Sequence, residues 1–269
     1  MSAVPILITM LCLGQSPADV PKSAAAASEV SLAAMRQRVE PTRITLLGMD
    51  GEKSAGKEAR LVEAPIFRYS DELREIEDAG MWLWTDRGRP VAVMKVERYK
   101  TSRFPTQWLY CFVSLSPELV RAEWADASPF QAKQPGVKWQ ELADKPASTR
   151  AARLVQLREM ARRFSGEILV DKQGRNRLQM RLLSRPLYRL DETRDVLDGA
   201  VFGFTGAGTN PDALLLFDLA PAGGWRFSVA GITADGLRVK LDGRVIQEQP
   251  NLAGEQRVFD TWCYFRPTK

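Results

Sequence analysis

MWLWTDRGRPVAVMKVERY, residues 81–99, holds two apolar runs on either side of Asp86-Arg87-Gly88-Arg89. A short polar segment with a glycine, set between runs rich in β-branched and aromatic residues, is a β-hairpin signal. Trp82 and Trp84 lie two apart and so share one face of a strand, while Met81 and Leu83 share the other. The next run, WLYCFVSLS (108–116), repeats the pattern and reads as a third strand of the same sheet.

Outward from this core the chain continues in short strand-like segments separated by polar turns. RITLLGM (43–49) and ARLVEAPIFRYS (59–70) precede the hairpin. EILVD (167–171), RLQMRLLS (177–184), GAVFGFT (199–205), ALLLFDL (213–219), WRFSVAGIT (225–233), LRVKLD (237–242), RVIQEQ (244–249) and VFDTWCYF (258–265) follow it. Such spacing favours antiparallel pairing, and there are too few helices to make parallel crossovers. Residues 125–148, with prolines at 129, 135 and 146, read as a long loop with one turn around Trp139.

The one substantial helix is expected over Thr149–Phe164. Ser148 or Thr149 can cap it, and Gly166 stands where it should stop. Leu154, Leu157, Ala161 and Phe164 fall on one side at helical spacing. The fold class is therefore α+β: an antiparallel sheet, strongly curved or in two layers, packed on one main helix at residues 149–164.

At the N-terminus, VPILITMLCLG (4–14) is apolar and too short to cross a bilayer, but it fits the core of a signal peptide. No Lys or Arg precedes it, and Leu11 before Cys12 does not suit lipoprotein processing. The organisation expected is a signal peptide at 1–14, an Ala/Ser/Pro-rich linker at 15–40 and one α+β domain at 41–269, exported to the periplasm or cell envelope. No transmembrane helix is expected in the mature chain.

Composition excludes much chemistry. The chain has no histidine. Ser-His-Asp and Cys-His catalysis and histidine zinc sites are thereby removed, leaving carboxylates, Lys, Tyr, Arg or a Ser-Lys pair. No cofactor and no metal are expected. The formal charge of +5 is spread among interspersed acids. Nucleic acid is therefore a poor candidate partner. Cys111 and Cys263 each sit in an apolar, aromatic run; they read as small buried side chains or, in an exported protein, as an inter-strand disulfide.

Several motifs were weighed against plainer readings. Gly51–Lys57 matches G-x-x-x-x-G-K, but Glu58 replaces the hydroxyl that holds Mg²⁺ and a strand follows where a helix is needed, so it is a loop. GFTGAGTNPD (203–212) is likewise a hairpin loop rather than a dinucleotide turn. Trp82 and Trp84 are candidates for a stacking platform, with core packing as the plainer reading. Asp191, Glu192, Asp195 and Asp198 do not follow the spacing of a calcium loop. Arg150 falls on the apolar side of the helix, in a first turn whose dipole disfavours a cation. It is therefore expected to be partly buried and paired with an acid, with the Asp191–Asp198 cluster as the first source. Arg153, Arg158, Arg162 and Arg163 read as a solvated face.

MWLWTDRGRPVAVMKVERY, QWLYCFVSLSPELV, the helix RLVQLREMARRF and SRPLYRLD together resemble a family of exported proteins of planctomycete-type bacteria that carries no assigned activity. The resemblance spans about residues 65–265. It implies an envelope location and brings no catalytic residues. The function expected is an exported, non-catalytic binding or scaffolding domain acting on an envelope component or small ligand. The alternatives are a histidine-free hydrolase with a carboxylate pair and an anionic-polymer binder using the helix arginines.

Overall fold

The structure is a computed structural model that describes residues 22–47, 57–100, 107–221, 223–252 and 258–267. In chain order its elements begin with α1 (Lys22–Val39), β1 (Arg43–Leu47), β2 (Lys57–Glu58), β3 (Arg60–Leu61), β4 (Phe67–Asp71), β5 (Ile76–Asp86) and β6 (Arg89–Tyr99). They continue through β7 (Trp108–Ser114), β8 (Leu119–Glu123), β9 (Phe130–Gln131), β10 (Gln140–Glu141), α2 (Arg150–Arg162), β11 (Phe164–Leu169), β12 (Arg177–Leu182) and β13 (Tyr188–Arg189). The last are β14 (Asp198–Thr205), β15 (Ala213–Leu219), β16 (Trp225–Gly231), β17 (Gly236–Leu241), β18 (Arg244–Gln249) and β19 (Trp262–Phe265).

These strands form three antiparallel sheets: β2-β1-β8-β9, then β19-β7-β6-β5-β3 with β4 beside β5, and the long order β10-β16-β15-β14-β12-β11-β17-β18 with β13 beside β14. The hairpin at 81–99 is the centre of the second sheet. Arg87 (φ 48°) and Gly88 (φ 82°) occupy its turn, both left-handed, which matches the twist of the strands they join. The segment read as one strand over 59–70 is instead two short strands on β5, interrupted around Pro65.

The six-stranded sheet is covered on both faces. One face places Trp82, Trp84, Met94, Tyr110 and Phe112 against Met35 and Val39 of α1 and against Ile44, Leu46 and Val120 of the small sheet. The other places Met81, Leu83, Val93 and Val113 against Val201, Leu214, Leu216 and Ala230 of the nine-stranded sheet. That sheet curls into a half-barrel. Its inner face gathers Phe202, Phe217, Phe227 and Leu237 around Phe164 and the α2 residues Leu157, Met160 and Ala161. Phe164 makes edge contacts with Phe217 and Phe227, at centroid separations of 5.8 and 4.9 Å.

Four expectations are corrected here. Residues 22–39 of the expected linker are helix, and Met35 and Val39 are fully buried. An Ala-rich run has high helix propensity, and its apolar positions found a sheet face to cover. The fold is thus not organised on one main helix: its core is sheet against sheet, with a helix at each outer layer. Gly166 does not stop α2, which ends at Arg162; it lies in β11, where a Cβ would come within 2.3 Å of the Met180 terminal methyl. Finally, Cys111 and Cys263 are both buried and unbridged. Cys263 pairs with Phe112 and Tyr264 with Cys111, so the two sulfurs leave opposite faces of the sheet and cannot meet. The apolar run Val4–Gly14 and Gly51–Gly56 of the phosphate-loop lookalike lie outside the described residues. Among the described residues no helix is long and apolar enough to cross a membrane.

Leu157 is fully buried and Val155, two residues away, is 53% exposed. Leu157→Ala should lower unfolding free energy in urea by about 2–5 kcal/mol. Val155→Ala should change it by no more than about 0.5 kcal/mol.

Candidate functional site

Trp82 and Trp84 are each 1% exposed and pack in the core, so no stacking platform exists there. The strand is apolar on both sides because both sides are covered.

Arg150 does not take the role expected of it. Thr149 caps α2 by accepting from the Ala152 N–H at 3.2 Å, and the helix is turned so that Arg153, not Arg150, faces inward. Arg150 donates to the Leu190 carbonyl at 3.2 Å. Arg153 Nε donates to Asp198 Oδ2 at 2.9 Å, and Arg189 holds both oxygens of the same carboxylate, at 3.1 and 2.8 Å. Asp198 thus serves Arg153 and Arg189 and not Arg150, and Arg153, expected on the solvated face, is buried. Asp191 and Glu192 are exposed, and Asp195 lies 3.8 Å from Arg87. Burial opposes the charge on Asp198, but hydrogen bonds from Arg189, Arg153 and the Gly199 N–H outweigh it and hold the carboxyl below its ordinary range. This cluster is a buried tie between helix and sheet. On the exposed face, Arg163 pairs with Asp144 and Asp242, each at 2.7 Å.

A different set of charges is drawn together where the two large sheets meet. On β6, Lys95 and Glu97 share the face of Val93. They are 2% and 1% exposed, and their charged ends stand 3.9 Å apart. Lys95 Nζ donates to Asn210 Oδ1 at 2.8 Å and to the carbonyls of Pro211 (2.9 Å) and Ile232 (3.4 Å). Glu97 accepts from Tyr69 (2.6 Å), Asn210 (3.0 Å) and Tyr99 (3.1 Å). Burial, reinforced by the Glu97 charge, pushes both phenols well above their ordinary value, so they remain donors. Asp212 receives Arg74 at 2.9 Å and the Gly206 N–H at 2.8 Å. Burial and then Glu97 push the Cys111 thiol up to about 12.

These groups line a chamber of about 170 Å³ whose wall includes Leu109, Thr233, Trp262 and Tyr264. Trp262 also lines a larger groove of about 490 Å³ between β16 and β18. The groove is lined by Gln134, Gln140, Gln247 and Gln249, by the charged Lys138, Glu248 and Asp260, and by apolar residues such as Val229 and Ile246. Phe259, Trp262 and Tyr264 stack beside it, the first two at 4.1 Å and 6°. Among the described residues no group of acids and cysteines is placed to hold a metal ion.

Sequence reading passed over Lys95, Glu97, Asn210 and Asp212. The signal was present in VAVMKVERY: a strand apolar on both faces that carries two opposite charges at neighbouring positions of one face must bury them together. Asn210 and Asp212 were hidden in a segment that reads as an ordinary turn.

No family model, curated protein or solved structure matches this chain.

The Asp198 cluster has a defined pH signature. A carboxyl held below its ordinary value contributes stability that is complete above about pH 3.9 and lost as pH falls through the lower folded value. Asp198→Asn should therefore cost about 3–5 kcal/mol near neutral pH, because two guanidinium groups lose their only shared charge partner. The gap to the natural protein should narrow progressively in urea titrations carried out below pH 4.

Proposed function

We propose that this chain is an exported, non-catalytic binding module whose ligand seats in the amide-lined groove beside the Phe259–Trp262–Tyr264 stack. One observation carries the reading: the charged groups of the adjoining chamber are held by partners within the fold. Lys95 Nζ is held by three oxygens of the fold. Glu97 and Asp212 do share one chamber, as a carboxylate-pair hydrolase would require. Yet every oxygen of the two accepts at least one donor. Each of these four oxygens is thus already engaged inside the fold.

What the groove offers is recognition. Four primary amides give paired donors and acceptors, and with Lys138, Glu248 and Asp260 on the same wall they suit a polar ligand rich in hydroxyl or amide groups. The export reading rests on the apolar run Val4–Gly14 and on the family resemblance.

Neutral oligosaccharides and end-blocked neutral peptides should be screened by thermal unfolding. A ligand at a hundred times its Kd adds about 2.7 kcal/mol, or roughly 5–10 °C in Tm for a chain of this size. The shift should vanish in Gln140→Arg/Gln247→Arg, which crowds the groove with charge. Turnover of a bound ligand, abolished by Glu97→Gln, would favour the hydrolase instead. Separately, N-terminal sequencing of protein from native cells should find a mature chain that begins between residues 15 and 29; an intact Met1 or Ser2 would remove the signal-peptide reading.

A further inference from the structure

Arg89 and Arg226 converge on one carboxylate at the far end of the inter-sheet layer. β6 runs from Arg89 to Glu97, eight residues or about 26 Å along a strand, so this end is well separated from the chamber. Asp218 on β15 lies directly opposite Arg226 on β16. Its side chain is completely buried, whereas those of Arg89 and Arg226 are 26% and 33% exposed. Arg226 Nε donates to Asp218 Oδ2 at 2.6 Å, and its second nitrogen contacts the same oxygen. Arg89 Nε sits 3.3 and 3.4 Å from the two oxygens, and its terminal nitrogen donates to the Asp195 carbonyl. The Arg226 guanidinium also lies over the Trp139 ring, 4.7 Å from its centroid.

Both arginines and Trp139 line a cleft of about 520 Å³. Lys57 and Arg87 also line it, as do the acids Asp86, Glu118 and Asp195. Asp195 is turned to Arg87, 3.8 Å away. The tie between the sheets needs one guanidinium on Asp218. The second leaves the trio with a positive charge, held rigid by the carboxylate beneath and the indole beside it. Guanidinium groups fixed in this way on the wall of a cleft suit an oxyanion, which they can receive without reorganising.

We infer that this cleft binds the oxyanion of a small ligand, a carboxylate or phosphoryl group, between Arg89 and Arg226. The site is distinct from the amide-lined groove and does not depend on the binding reading given to it. Inorganic phosphate and succinate should be titrated calorimetrically, at low ionic strength, into the full chain and into three variants. Arg89→Met and Arg226→Met each leave Asp218 with one guanidinium; Arg226→Met keeps the Arg89 bond that joins the two sheets, and Arg89→Met keeps the Arg226 bond within the nine-stranded sheet. Arg181→Met removes the same charge from an exposed position elsewhere. At least one probe should bind the natural protein, and its affinity should fall tenfold or more in each of the first two variants while Arg181→Met binds as before. Preference for phosphate or for succinate identifies which oxyanion the cleft takes. No binding by either probe, or an equal loss in all three variants, would overturn the assignment; thermal unfolding of each variant checks that it is folded.

Discussion

The contact between the six-stranded sheet and the half-barrel sheet is the constraint on which the rest of the molecule depends. Its middle is apolar, with Val93 and Val113 against Val201, Leu214 and Leu216. Its ends are charged. Along β6 the inward positions pass from Arg89 through Val93 to Lys95 and Glu97, and along β15 from Asp212 through Leu214 and Leu216 to Asp218. Opposite charges meet at both ends. A slip of one residue in either strand would bury the wrong face, and a slip of two would strand a charge in the apolar middle, so the ends fix the register that the greasy centre alone would leave loose.

The same constraint decides where function can reside. Charges buried to fix a register must be neutralised, and at the Lys95–Glu97 end they are held by partners within the fold. At the Arg89–Asp218 end the balance is unequal, with two guanidinium groups to one carboxylate, and there the structure opens onto solvent. Between β16 and β18 the half-barrel stops short of closing, and glutamines are among the residues that line the opening. The two openings proposed above as binding sites thus sit at one end and at the seam of the framework, where packing holds their walls in place.

Much of the framework was legible. The hairpin at 86–89, the strands over 213–219 and 244–249, the pairing of β6 with β7 and the Thr149 cap all follow from neighbours within a few residues, because turn chemistry and periodicity are local. Reading missed α1, whose Ala-rich sequence also suits a linker; what makes it part of the fold is the uncovered face of Trp82 and Trp84 that Met35 and Val39 meet. It missed the chamber because Tyr69, Glu97 and Asn210 are far apart in the chain and carry no spacing that marks them as one network.

The sequence by itself determined the longer strands, the approximate start of α2 and that pairing is antiparallel, since these rest on short-range sterics and alternation; the short strands β8, β9, β10 and β13 carry too little alternation to be read and exist only through their partners. It also determined, by lacking histidine, a whole range of chemistry that is closed to the chain. Only the tertiary structure decided that Arg153 rather than Arg150 turns inward, because a helix rotates to whatever partner the sheet offers, and Asp198 lies beneath Arg153. Only it decided that Cys111 and Cys263 point away from each other, because register, not composition, assigns a side chain to a face. And only it made Asp218 a shared anchor, because the charge of one carboxylate becomes meaningful when two sheets bring two arginines to it.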